Sequence, residues 1–183
     1  YLAQGKLDEG FSYEQQALLL AEQGQHHREI TQIMATLGTI SLERGDFAAA
    51  LYYTGRMTDR NRADGNLYYQ ILDLRQMAYI YANLLAYRQA LALCDEAAAL
   101  MARIRYDDPV VRAVRGVCLV ALGRADDGLA LLREATEHRQ QNARTGLLLA
   151  LSQVQALLLA GDFAACRERA AALAAETHGR NNV

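Results

Sequence analysis

The sequence has no tryptophan, one proline, three phenylalanines and three cysteines in 183 residues. With Pro109 alone to interrupt a helix, and no runs of β-branched residues to favour strands, β architectures are excluded. Cys94, Cys118 and Cys166 lie far apart, are odd in number and form no CxxC pair, so neither a disulfide framework nor a zinc site is expected. They suit a reducing compartment, and a cytoplasmic location is the expectation. An excess of either charge is missing as well. The net charge is −2, with both signs mixed along the chain, so no basic stripe exists to neutralise phosphates and nucleic acid is not an expected partner. The longest uncharged stretch, Gly146 to Gly161, contains Ser152, Gln153 and Gln155; it is too short and too polar to span a bilayer.

Chemical motifs are missing too. There is no GxxxxGK[ST] phosphate loop, no HExxH, no GxGxxG and no nucleophile elbow. His26 and His27 are adjacent, so on a helix their side chains diverge by about 100° and do not converge on one metal. The acidic pairs Asp107-Asp108 and Asp126-Asp127 stand where helices open, and capping accounts for both. No catalytic residue, metal site or cofactor is expected, and the chain reads as a non-enzyme. Beginning at Tyr1, it reads as a segment of a longer protein.

What the sequence does have is Ala, Leu, Arg, Glu and Gln in helical quantity, 52% hydrophobic residues, and a recurring phrase. A helical run ends in a tight turn and a new helix opens at once. The turns begin at Gly5, Gly45, Leu85, Gly123 and Gly161, spaced by 40, 40, 38 and 38 residues. Glycine at four of these positions fits a helix that stops in a left-handed residue. Asp46 and Asp162 follow, where a short carboxylate can accept from the free amides of the next helix. Apolar residues recur at three and four, and the reading gives helices over 7–23, 28–44, 47–60, 66–85, 87–104, 109–122, 125–140, 143–160 and 163–177. The repeats divide as a partial unit 1–24 followed by 25–64, 65–105, 106–142 and 143–178, all within a single domain spanning 1–183.

Aligned on these turns, Leu37-Gly38 precedes Gly45 with Ala50 after it, Ala78 and Tyr81 precede Leu85 with Ala90 after it, and Gly116 precedes Gly123 with Gly128 after it. This pattern resembles the tetratricopeptide repeat. Its period is longer than the usual 34 residues and is similar to that of the maltose-regulator and LuxR-like bacterial regulators and of kinesin light chains. Ser41 and Leu119 stand in place of the usual tyrosine, Arg112 and Arg115 fall where apolar residues belong, and Val154 and Cys166 take the small positions of the last unit.

The resemblance implies an all-α fold, a right-handed superhelical α-solenoid of antiparallel helix pairs, serving as a protein or peptide interaction module of a larger bacterial signalling or transcriptional regulator. It also implies a concave groove lined by the first helix of each pair. Carried over residue by residue, that groove comprises Gln32, Ala35, Thr39 and Glu43, then Leu72, Arg75, Tyr79 and Asn83, then Val117 and Val120, then Leu151 and Gln155. The expected partner is a protein, a peptide or a neighbouring domain of the same chain. Two alternatives stand beside it: a small-molecule-sensing pocket near Val117, Val120 and Leu151, and a homo-oligomer formed through an exposed apolar face. Of the adjacent tyrosines, Tyr52-Tyr53 and Tyr68-Tyr69, one ring of each pair is expected to turn inward.

Overall fold

The computed structural model describes residues 6–137 and 143–180, with the side chains of 143, 144 and 177–180 left aside. The described residues are all helical and contain no strand. The helices are α1 Leu7–Gln23, α2 His27–Glu43, α3 Phe47–Ala63, α4 Leu67–Asn83, α5 Tyr87–Ile104, α6 Pro109–Ala121, α7 Ala125–Thr136, α8 Ala143–Leu159 and α9 Phe163–Arg180. Each starts within one residue of its expected position. The largest difference at a described end is in α3 and α9, which run three residues further than expected; of the expected α7, residues 138–140 lie outside the described part, as does the turn at Gly5.

A single device recurs at the described turns between helices. Gly45 (φ 73°), Gly65 (67°), Gly123 (86°) and Gly161 (78°) are left-handed, and so are Gln25 (54°), Leu85 (60°) and Arg105 (52°). From Gln25 to Arg105 these residues are twenty apart, half the period read from the sequence. At Gly45 the amide donates to Leu42 O at 3.1 Å and the next amide, that of Asp46, donates to Ser41 O at 2.8 Å, closing the last turn of α2. Asp46 Oδ1 then accepts from Ala49 N at 3.0 Å and caps α3. Asp162 repeats this at α9, accepting from Ala165 N at 3.0 Å. Before α6, Asp108 Oδ1 accepts from Val110 N and Val111 N at 2.8 and 3.3 Å, with Pro109 opening the helix.

Packing divides the chain into two compact units, Tyr1–Ile80 and Tyr81–Val183. In the first, α1, α2 and α3 pack in succession around Leu18, Ala21, Ile30, Met34, Leu37, Tyr53 and Met57. The Phe11 ring meets Tyr53 edge-on at 6.2 Å, and Arg44 lies over Phe11 at 4.5 Å while its Nε reaches Asp8 at 3.0 Å. Ile71, Leu74 and Ala78 bury one side of α4.

In the second unit α6 is the centre, packed against α5, α7 and α8, and nine of its thirteen residues are buried. The expected small residues explain how closely it approaches α7. A Cβ on Gly116 would lie 2.7 Å from Gly128 O, and one on Gly128 would overlap Gly116 O and come within 2.6 Å of Val120 Cγ2. The two arginines that break the apolar pattern are accommodated by ion pairs: Arg112 Nη2 meets Asp107 Oδ2, and Arg115 Nε meets Asp95 Oδ1, each at 2.9 Å. In the last repeat Cys166 Sγ donates to the main-chain carbonyl of Val154 at 3.5 Å, so α9 meets the α8 backbone at the small positions.

Candidate functional site

The first unit holds an open cleft of about 670 Å³, lined by His27, Arg28, Thr31, Gln32 and Ala35 of α2, by Met57, Arg60 and Asn61 of α3 with Asp64 beyond its end, and by Tyr69 of α4. The N-terminal half of α2, the C-terminal half of α3 and the first turn of α4 therefore line one cleft. The turn at Gly65 brings the last two together. Asn66 Oδ1 accepts from Tyr69 N at 3.2 Å and Gln70 Nε2 donates to Asn61 O at 3.0 Å, which fixes how Tyr69 enters the cleft.

The cleft has a polar wall and an apolar floor. Met57 is buried and Ala35 half-buried, whereas His27, Arg28, Gln32, Asp64 and Tyr69 are exposed. Arg60 Nη2 lies 3.0 Å from His27 Nδ1. A guanidinium has only donors, so Nδ1 is the acceptor and the ring hydrogen is assigned to Nε2. Neither Arg28 nor Arg60 meets a carboxylate among the described residues. Elsewhere in this unit Arg44 and Arg56 do, with Asp8 and Glu22.

Beneath this wall Asn61 Nδ2 donates to Asp73 Oδ2 at 2.7 Å, and both residues are buried. Loss of water pushes the Asp73 carboxyl up to about 6; the Asn61 hydrogen bond and the charges of Arg62 and Arg75 act in the opposite direction but do not cancel it. The pair anchors α4 to the end of α3.

Two members of the expected groove, Gln32 and Ala35, line this cleft. Thr39, Leu72, Arg75, Tyr79 and Gln155 are half-buried, and Glu43 and Asn83 are exposed. Val117 and Val120 are core residues at 1% and 5% exposure, a correction to the groove as carried over. Their side chains are covered because α6 is enclosed by α5, α7 and α8, so neither they nor a pocket built on them is open to a ligand. Leu151 stays at the surface, on one face of α8 with Leu147 and Leu158.

The remaining candidates are also placed. Cys94 and Cys118 are wholly buried in the second unit, and burial raises both thiols, Cys118 to about 12, so they pack as small apolar groups. Tyr53 turns inward and Tyr52 outward, but Tyr68 and Tyr69 are both exposed. Among the described residues no cluster of three metal-binding side chains occurs, and no helix is long and apolar enough to cross a membrane. A second cleft, of about 320 Å³, lies among Leu129, Leu132, Arg133, Gln153, Leu157, Asp162 and Arg169 of the second unit. Arg169 is engaged there, donating to Gln153 Oε1 at 2.8 Å and pairing with Glu176 at 3.4 Å.

Sequence reasoning missed Arg28, Arg60, Asn61 and Asp64, because it followed only the inner positions of the first helix of each pair, which passes over Arg28 on α2 and the whole end of α3; Tyr69 it weighed only as one of two adjacent rings. The pairing of His27-Arg28 with Arg60, about two helix lengths apart, was the available signal. The chain matches no protein-family model, and no curated protein matches it at a significant level.

Proposed function

We propose that the chain is a tetratricopeptide-like interaction module, an α-solenoid of antiparallel helix pairs, that binds a protein or peptide partner and catalyses nothing itself. It would serve a larger bacterial regulator. The regular left-handed turns, the nearly equal helices of the first unit and the buried small residues at Gly38, Ala50, Ala78 and Ala90 support the architecture. The observation that carries the binding role is the cleft over α2, α3 and α4, where an apolar floor lies beside hydrogen-bonding side chains and an exposed tyrosine. Such a surface suits a peptide side chain with its backbone, since Tyr and Arg give large rigid contact area and directed hydrogen bonds.

Selection from a random peptide library on the immobilised chain tests this. Peptides that bind the parent and are lost on Gln32→Trp, which fills the cleft from an exposed position, are the expected result. A selection that yields no binder, or binders indifferent to Gln32→Trp in a variant with an unchanged melting curve, removes the role. Self-association is a second reading, supported by the exposed Leu147, Leu151 and Leu158 on one face of α8. Light scattering over a concentration series reads it directly.

A further inference from the structure

We propose that the cleft selects an acidic residue of the partner peptide, its carboxylate held by Arg28 and Arg60 and the adjoining apolar side chain lying over Met57 and Ala35. This deepens the peptide-binding reading and rests on it. Three observations converge. Arg28 and Arg60 reach the same cleft from α2 and α3, and both lack a carboxylate partner among the described residues. Arg60 is held against His27 at 3.0 Å, which limits the freedom its side chain would lose on binding. The planar donors of a guanidinium match a carboxylate in a way an ammonium cannot.

Asp64 decides which anion is taken. It lines the same cleft, so an extended polyanion would meet a carboxylate as well as the two arginines. A single acidic side chain can be placed on the arginines and away from Asp64. The net charge of −2 likewise opposes a nucleic acid. The floor of Met57 and Ala35 then favours an apolar neighbour to the acidic residue.

The test uses fluorescence anisotropy on the full chain with labelled nonapeptide pools, blocked at both ends, with random flanks around a central Glu-Leu, Gln-Leu, Glu-Ser or Lys-Leu. Glu-Leu should bind best, with roughly tenfold weaker binding for Gln-Leu, and Glu-Ser intermediate. The double variant Arg28→Gln/Arg60→Gln should bring Glu-Leu down to the Gln-Leu level, whereas Arg124→Gln, an exposed arginine of the second unit, should not. Both substituted positions in the cleft are at the surface or half-buried, and a thermal melt checks the fold. Equal binding of Glu-Leu and Gln-Leu, or a double variant that binds like the parent, overturns the acidic preference and leaves peptide binding standing. Absence of binding by all four pools removes both. A labelled uridine oligonucleotide that binds more tightly than Glu-Leu and loses its affinity in the double variant overturns the proposal in favour of a nucleic acid.

Discussion

The side-chain amide of Asn61 donates to Asp73 Oδ2 at 2.7 Å, in a place where the two residues are only 4% and 2% exposed. One hydrogen bond does not replace the water a carboxylate loses there, and the group takes up a proton at about pH 6 instead of near 4. The raised value makes stability depend on pH. Below about pH 4 the carboxyl is protonated in both folded and unfolded chains; between there and about 6 the folded chain keeps a proton that the unfolded chain has lost. The contribution of Asp73 is therefore complete at low pH and is lost as pH rises through about 6. Asp73→Asn should flatten this part of the profile and raise stability at pH 7, by on the order of 1–3 kcal/mol. Urea melts of both proteins at pH 5 and pH 7 measure it, and an unchanged difference between the two pH values would contradict the account.

Gly116 and Gly128 let α6 and α7 approach until backbone meets backbone. A methyl group at Gly128 has a carbonyl oxygen and the Val120 side chain in its path, and the carbonyl cannot swing aside as a side chain could. Gly128→Ala should cost about 1–3 kcal/mol through overpacking, outweighing the better helix propensity of alanine. Gly55→Ala is the matched control, since nothing lies within 4 Å of a Cβ there, and it should be neutral or stabilising. Denaturant midpoints for the pair give the comparison.

Leu85 adopts φ 60° with 68% of its surface exposed. The position needs a left-handed backbone and makes little use of the side chain, as Gly45, Gly65, Gly123 and Gly161 show at the equivalent turns. Leu85→Gly should raise stability by roughly 0.5–1 kcal/mol, the relief of left-handed strain exceeding the added freedom of the unfolded chain. A lower melting temperature would mean that Leu85 is held by contacts worth more than its strain.

Helix positions were legible in the sequence because almost nothing competes with helix formation, and because glycine marks a left-handed residue at Gly45, Gly123 and Gly161. The intermediate turns were harder to read. Gln25 and Arg105 take the same conformation without glycine, so composition gives no sign of it, and Asp64-Gly65-Asn66 lay hidden behind the polar run from Arg60. Val117 and Val120 were misplaced for a related reason: an aliphatic row on a helix looks alike whether it faces an open groove or a third neighbour. Asp73 could not be singled out at all, since its burial comes from where α3 and α4 meet, not from its flanking residues. The cleft was half legible, its α2 side following from repeat position and its α3 side from none.

Asp46 closes α2 through its amide and opens α3 through its carboxylate, with only Arg44 and Gly45 between it and the last residue of α2. There is no slack in such a joint. Inserting or deleting a single residue there would sever both attachments together and rotate everything downstream about its own axis. Changes of length are therefore tolerable only as complete helix-plus-turn increments, which from Gln25 to Arg105 measure twenty residues each.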